Sequence, residues 1–241
     1  MATMNSTRAS APPASARARW APSKRWLFGL LGLALLGLGV RYATLPPANA
    51  GRALTDFSPE RLGAQEQQLW EAYYYRQWPR LLGLLIQVSR EQFGLSPAQA
   101  LYAASVGTLA QIDWARNGAS TGAAEAYMRD FYAYVKGPTG GQYDPARAAA
   151  KELRWWAVHR DAAHHTAGSA ALEDAFTDLY VELYQRSPEA VRPAARVRAQ
   201  AVALSDQWLD AGMPSDSPLL GQIREELIAS YRALHQAVAR P

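Results

Sequence analysis

Two patterns of apolar residues divide this chain. Between Arg25 and Leu45, in RWLFGLLGLALLGLGVRYATL, apolar residues run from Trp26 to Val40 without a charge. From Ser58 onward they recur every three or four residues between polar positions. The first pattern suits a helix in lipid, and the second suits helices that each bury one face. The periodicity is clearest near the C-terminus, where Leu220, Ile223, Leu227, Tyr231, Leu234 and Val238 fall on one face. Leu172, Phe176, Leu179 and Leu183 form a second stripe, and Val197, Ala201, Leu204 and Trp208 a third. No segment alternates with the period of a strand.

A capping residue followed by proline marks five helix starts: Ser58-Pro59, Ser96-Pro97, Asp144-Pro145, Ser187-Pro188 and Ser217-Pro218. The oxygen of the first residue can accept from an unsatisfied backbone N–H, and proline has no N–H to leave unsatisfied. Pro79 breaks a further pair, and Asn117-Gly118, Gly137-Pro138 and Gly212 are suitable stops. The expected helices are 59–77, 79–93, 97–116, 121–136, 145–164, 170–186, 188–211 and 218–239. The fold class is all-α, an irregular multi-helix bundle of about seven or eight helices behind a single N-terminal transmembrane helix. The stretch from Trp78 to Val88 is apolar on more than one face and is expected to be a buried helix, the alternative being a helix lying against the bilayer.

As a helix the apolar run rises roughly 22 Å, short of a hydrocarbon core about 30 Å thick. Its flanks extend the reach, because Arg25 and Arg41 can snorkel and the rings of Trp26 and Tyr42 suit the interface. Residues 23–45 are therefore expected to be a signal-anchor. Cleavage after Ala50 is the alternative, since Ala48-Asn49-Ala50 has the small-x-small form of an export cleavage site. Residues 1–22 form a disordered basic leader and 46–57 a tether, leaving 58–241 as one helical domain.

Charge refines this division. The first 25 residues hold five basic residues and no acid, so 20 basic residues face all 21 acidic ones afterwards. The high pI of 9.4 belongs to the leader. A nearly neutral helical domain has no general attraction for nucleic acid, which excludes that partner. The basic leader is expected on the cytoplasmic side, with a single pass carrying the helical domain to the extracytoplasmic face. Without cysteine there are no disulfides, thiolate metal sites or c-type haem attachments.

Chemistry-bearing residues concentrate in two places. Glu152, Trp155 and His159 share a face of one expected helix, with Trp156 and Arg160 on the adjacent face at cation–π spacing. Glu152, His159, Asp161 and His165 could hold a metal or move protons if Glu66, Glu71 or Glu182 converged on them from another helix. The plainer expectation makes His159 a hydrogen-bonded core residue and pairs Glu152 with an arginine. The second concentration, Trp70, Tyr73, Tyr74, Tyr75 and Trp78, cannot all face one core and with Trp155 and Trp156 is a candidate binding surface. The glycine-rich Gly137–Asp144 stretch lacks the Lys and Ser/Thr placement of a phosphate loop and is expected to be a connector.

No motif dictates a reaction. The leading expectation is a membrane-tethered accessory or scaffolding protein that binds a partner protein outside the cytoplasm, contacts lipid through residues 26–45 and needs no cofactor. The alternative is a helical, metal-dependent oxidative enzyme acting on an apolar or membrane-associated substrate.

Overall fold

The computed structural model describes residues 53–120, 122–161 and 169–239, together with Gly39, Arg41 and Leu45. The leader, most of the apolar segment with Arg25, Trp26 and Tyr42, and the cleavage motif lie outside the described residues. The chain divides into two units after Arg41, and the second, Tyr42–Pro241, carries the helical domain. Among the described residues no helix is long and apolar enough to cross a membrane.

The described part of this unit is all-helical: α1 (Pro59–Tyr74), α2 (Trp78–Glu91), α3 (Pro97–Asn117), α4 (Ala123–Thr139), α5 (Pro145–Arg160), α6 (Ala170–Tyr184), α7 (Pro188–Asp210) and α8 (Pro218–Val238). All five cap-proline pairs start helices. Ser58, Ser96, Asp144, Ser187 and Ser217 each accept a backbone N–H from the first turn, and Ser96 completes a reciprocal pair with Gln99. The break before α2 falls at Tyr75–Gln77, where Arg76 takes a positive φ of 55°. The expected stop at Gly137-Pro138 is overrun. Pro138 sits in the last turn of α4, which ends at Gly140 with a φ of 63°; glycine adopts that left-handed backbone without a Cβ clash.

Each helix packs chiefly on its neighbours in the chain, and α1 packs on α8, so the eight close into a circuit. Neighbours run antiparallel where side chains fix the direction. Glu71 meets Arg80 while Gln65 meets Glu91 across α1 and α2, and Tyr102 meets Tyr134 while Asp113 caps Ala124 across α3 and α4. Closure between α1 and α8 is close. A Cβ added at Gly63 would lie 2.7 Å from the backbone nitrogen of Ile228, so only glycine permits this approach.

Other sequence expectations change in part. The stretch Trp78–Val88 is not a fully buried helix: within α2 only Leu81, Val88 and Ser89 are buried. In α7 Ala201 and Trp208 of the expected stripe are buried, while Val197 and Leu204 are half-buried. The buried face is broader than that stripe and also takes in Val191, Ala195, Arg198, Val202 and Asp206, two of them charged. Finally, the end of the expected tether belongs to the domain. Phe57 is buried against Tyr231 and His235, and Leu54 N–H donates to Thr139 O.

Candidate functional site

The circuit surrounds a partly open cavity of about 490 Å³, and all eight helices contribute to its wall. The lining is mainly aromatic and aliphatic, with Trp70, Tyr73 and Tyr74 from α1, Phe131 and Tyr132 from α4, and Trp156 from α5 among it. Against this surface stand six ionisable groups: Glu66, Glu152, His159, Arg160, Arg198 and Asp206.

These groups bridge helices that are not neighbours. Arg198 of α7 is buried and pairs with Glu66 of α1. Tyr231 Oη donates to Glu66 Oε2 at 2.5 Å, and Arg198 Nη1 lies 3.1 Å from Tyr231 Oη and 3.2 Å from Tyr180 Oη. The guanidinium also lies 4.9 Å from the Phe176 ring centre and 5.9 Å from that of Trp155. A charge so enclosed persists because its counter-ion and the aromatic faces replace water. His159 Nε2 lies 2.7 Å from Asp206 Oδ1, linking α5 to α7. Arg160 donates to Trp114 O at 2.8 Å and stacks over the Trp114 ring at 5.0 Å, linking α5 to α3. Sequence spacing suggested Trp156 as the ring beneath Arg160; Trp156 instead presents its edge to Trp114 at 5.6 Å.

Glu152 is held by aromatic donors. Its Oε1 accepts from Trp155 Nε1 at 3.0 Å and Trp156 Nε1 at 3.1 Å, and its Oε2 accepts from Tyr132 Oη at 2.8 Å. The adjacent tryptophans thus both turn their N–H groups to one carboxylate. Burial raises the Glu152 carboxyl above the usual glutamate range, more than the Tyr132 hydrogen bond and the nearby Arg198 charge lower it. A carboxyl that binds its proton more tightly when folded costs stability as pH rises through the ordinary glutamate range and on through the raised value. Glu152→Gln keeps an acceptor for the indoles and removes that titration. The stability of wild type minus that of Glu152→Gln should fall as pH rises from the ordinary glutamate range, about pH 4, upward, measured by urea unfolding at each pH. A flat difference would show that the carboxyl titrates as it does in the unfolded chain.

The other sequence candidates go elsewhere. Glu71 accepts from Gln67 and Arg80. Glu182 accepts from Arg147 and from the Asp144 backbone, fastening the start of α5 to α6. Arg154, a possible partner for Glu152, pairs with Asp178. Asp161 caps the C-terminus of α5, and His165 lies outside the described residues. Among the described residues no group of three or more His, Asp or Glu side chains is placed to hold a metal ion. Of the aromatic surface, Trp70, Tyr73, Tyr74, Trp155 and Trp156 line the cavity. Tyr75 packs on Trp208 and donates to Met213 O at 2.7 Å, while Trp78 sits edge-on to Tyr73.

The residues that local reading missed are Arg198, Asp206, Tyr132, Tyr180 and Tyr231. A signal for two of them exists: Arg198 and Asp206 occur eight apart on a stripe otherwise made of Val and Ala, where a charged residue must find a partner inside. In comparisons with protein families, curated proteins and solved structures, the chain matches none.

Proposed function

We propose that this chain is a membrane-tethered binding protein that holds a neutral, largely apolar small molecule inside the helical circuit. One observation carries the reading, the cavity of about 490 Å³ walled by every helix. Its volume falls in the range of small-molecule pockets, about 300–1,000 Å³, and its mixture of an apolar wall and a few oriented polar groups is characteristic of them. Neutrality is argued from the wall. Three acidic residues, Glu66, Glu152 and Asp206, stand with three basic ones, Arg160, Arg198 and His159. Glu66 is paired with Arg198 and Asp206 with His159, so most of the wall's charge is answered within the wall. An apolar ligand also suits a domain held beside lipid by residues 23–45. A scaffold has no use for a cavity with Glu152 and His159 in its wall, and a ligand gives that cavity a purpose.

Gly107 offers the test. It lines the cavity, and a Cβ there would meet Leu85 and Phe131 at 3.7 and 3.8 Å, ordinary contact distances. Gly107→Leu should fill the space without forcing the wall apart. Purified protein is expected to bind the neutral fluorophore N-phenyl-1-naphthylamine saturably, and Gly107→Leu about tenfold or more weakly, a loss of about 1.4 kcal/mol. Absence of saturable binding, or equal binding by the variant, would remove the cavity as the site.

A second reading, an enzyme acting on the same molecule, is favoured by the His159–Asp206 pair in the cavity wall. A buried carboxylate that orients an imidazole is the arrangement used for general acid–base work. A compound extracted from the protein, converted by wild type and left intact by His159→Gln, would favour the enzyme; conversion by both would dismiss His159 from that role.

A further inference from the structure

We propose that the outer face of α2 and α3 rests on the lipid bilayer. Three large apolar side chains of the helical circuit are exposed among the described residues, Leu101, Tyr102 and Leu109, at 46, 48 and 43%. All three belong to α3. With Ala98, Ser105 and Ile112 they make one uncharged face along four turns of that helix, and the chain carries no charged residue from Gln92 to Ile112. The neighbouring outer surface of α2 adds exposed Gly83 and half-buried Leu82 and Ile86.

The occupant is argued from the two sides of the circuit and from the chain that enters it. Opposite α2 and α3 stand α6 and α7, whose outer surface carries a network of ion pairs: Arg192 with Glu173 and Asp174, and Arg196 with Glu173. Such a surface belongs in water. The circuit is therefore amphipathic as a whole, as a single helix lying in a membrane interface is. Reach agrees with this. Leu54 is fastened to the end of α4 by its bond to Thr139, so it lies nine residue steps from Leu45 at the close of the apolar segment. Nine such steps extend no more than about 32 Å. The start of α1 meets the end of α2 through Arg61 and Glu91, 3.5 Å apart, and α3 begins six residues later. Leu101 and Tyr102 thus lie at the end of the circuit where the chain enters. Tyr102 packs against Tyr134 at 4.6 Å, an aromatic pair of the kind that favours the headgroup level.

The absence of cysteine makes the test direct. Leu101→Cys, Leu109→Cys and, as the control on α7, Gln200→Cys each carry one nitroxide label in the full chain. Each is reconstituted into vesicles of phosphatidylcholine and phosphatidylglycerol, and flotation verifies insertion. Labels at 101 and 109 are expected to relax with oxygen, which concentrates in lipid, and to be shielded several-fold from a water-soluble nickel chelate relative to position 200. Inserted protein whose labels at 101 and 109 meet nickel as freely as position 200 would overturn the proposal and leave the tether standing. Shielding from both reagents that grows with protein density would overturn it in favour of a second copy, and failure to float would remove its premise.

Discussion

Arg198→Ala is expected to destabilise the domain by about 3 to 5 kcal/mol, the usual cost of leaving one member of a buried ion pair behind. Glu66 would remain buried with Tyr231 as its donor, while Tyr180, Phe176 and Trp155 would lose the cation that they surround. Because the pair joins α1 to α7 across the interior, the loss acts on the closure of the circuit. Replacing both partners, Glu66→Leu with Arg198→Met, removes the unpaired charge and should recover most of the stability. Urea unfolding of the two variants beside wild type decides the matter. A single substitution costing less than about 1 kcal/mol would show that Glu66 reaches water, since changes that small are usual at surfaces.

Trp208→Ala should cost a similar amount, about 3 to 5 kcal/mol, for a different reason. This indole is 1% exposed, meets the edges of Tyr74 and Tyr75 at 5.9 and 5.6 Å, and donates to Pro214 O at 3.0 Å. Alanine leaves a void between α1, α7 and α8 and a carbonyl without its donor. Calorimetry should show the melting temperature lowered by on the order of 10 °C for a domain of this size. A shift of one or two degrees would mean that the neighbouring tyrosines collapse into the space. Trp156 is only partly buried and faces the cavity, so its truncation should cost less.

Helix positions were legible in the chain because their determinants are local. A serine or aspartate, a proline and a stripe of period 3.6 occupy a few consecutive residues, and all five such starts appear in the structure. The breadth of the buried face of α7 was not legible, because local pattern marks only apolar positions, whereas that face also carries Arg198 and Asp206, tolerable only with partners on α1 and α5. Those partners are 132 and 47 residues away in the chain. The site shows the same division. Glu152, Trp155, Trp156 and His159 were recognisable as a group because one helix carries them; Tyr132, Tyr180, Tyr231 and Asp206 come from four others and look like ordinary core or surface residues singly. The cavity is the least legible feature. It is set by the distance across a closed circuit, and no single segment records that distance.

Closure of the circuit through α1 and α8 has a consequence for biosynthesis. Seven of the eight seams join helices adjacent in the chain and can form as each pair leaves the ribosome, but the eighth must wait for α8, made after all the others. Until then the inner surfaces of α1 and α7, with Trp70, Tyr74, Glu66 and Arg198, border an open gap. Once α8 docks, Phe57 beside His235 and Glu60 beside Arg232 bring the beginning and end of the circuit together. A nascent chain stalled before Pro218 would therefore present its aromatic interior to water and to any chaperone at hand, whereas the completed chain hides it in a single final step.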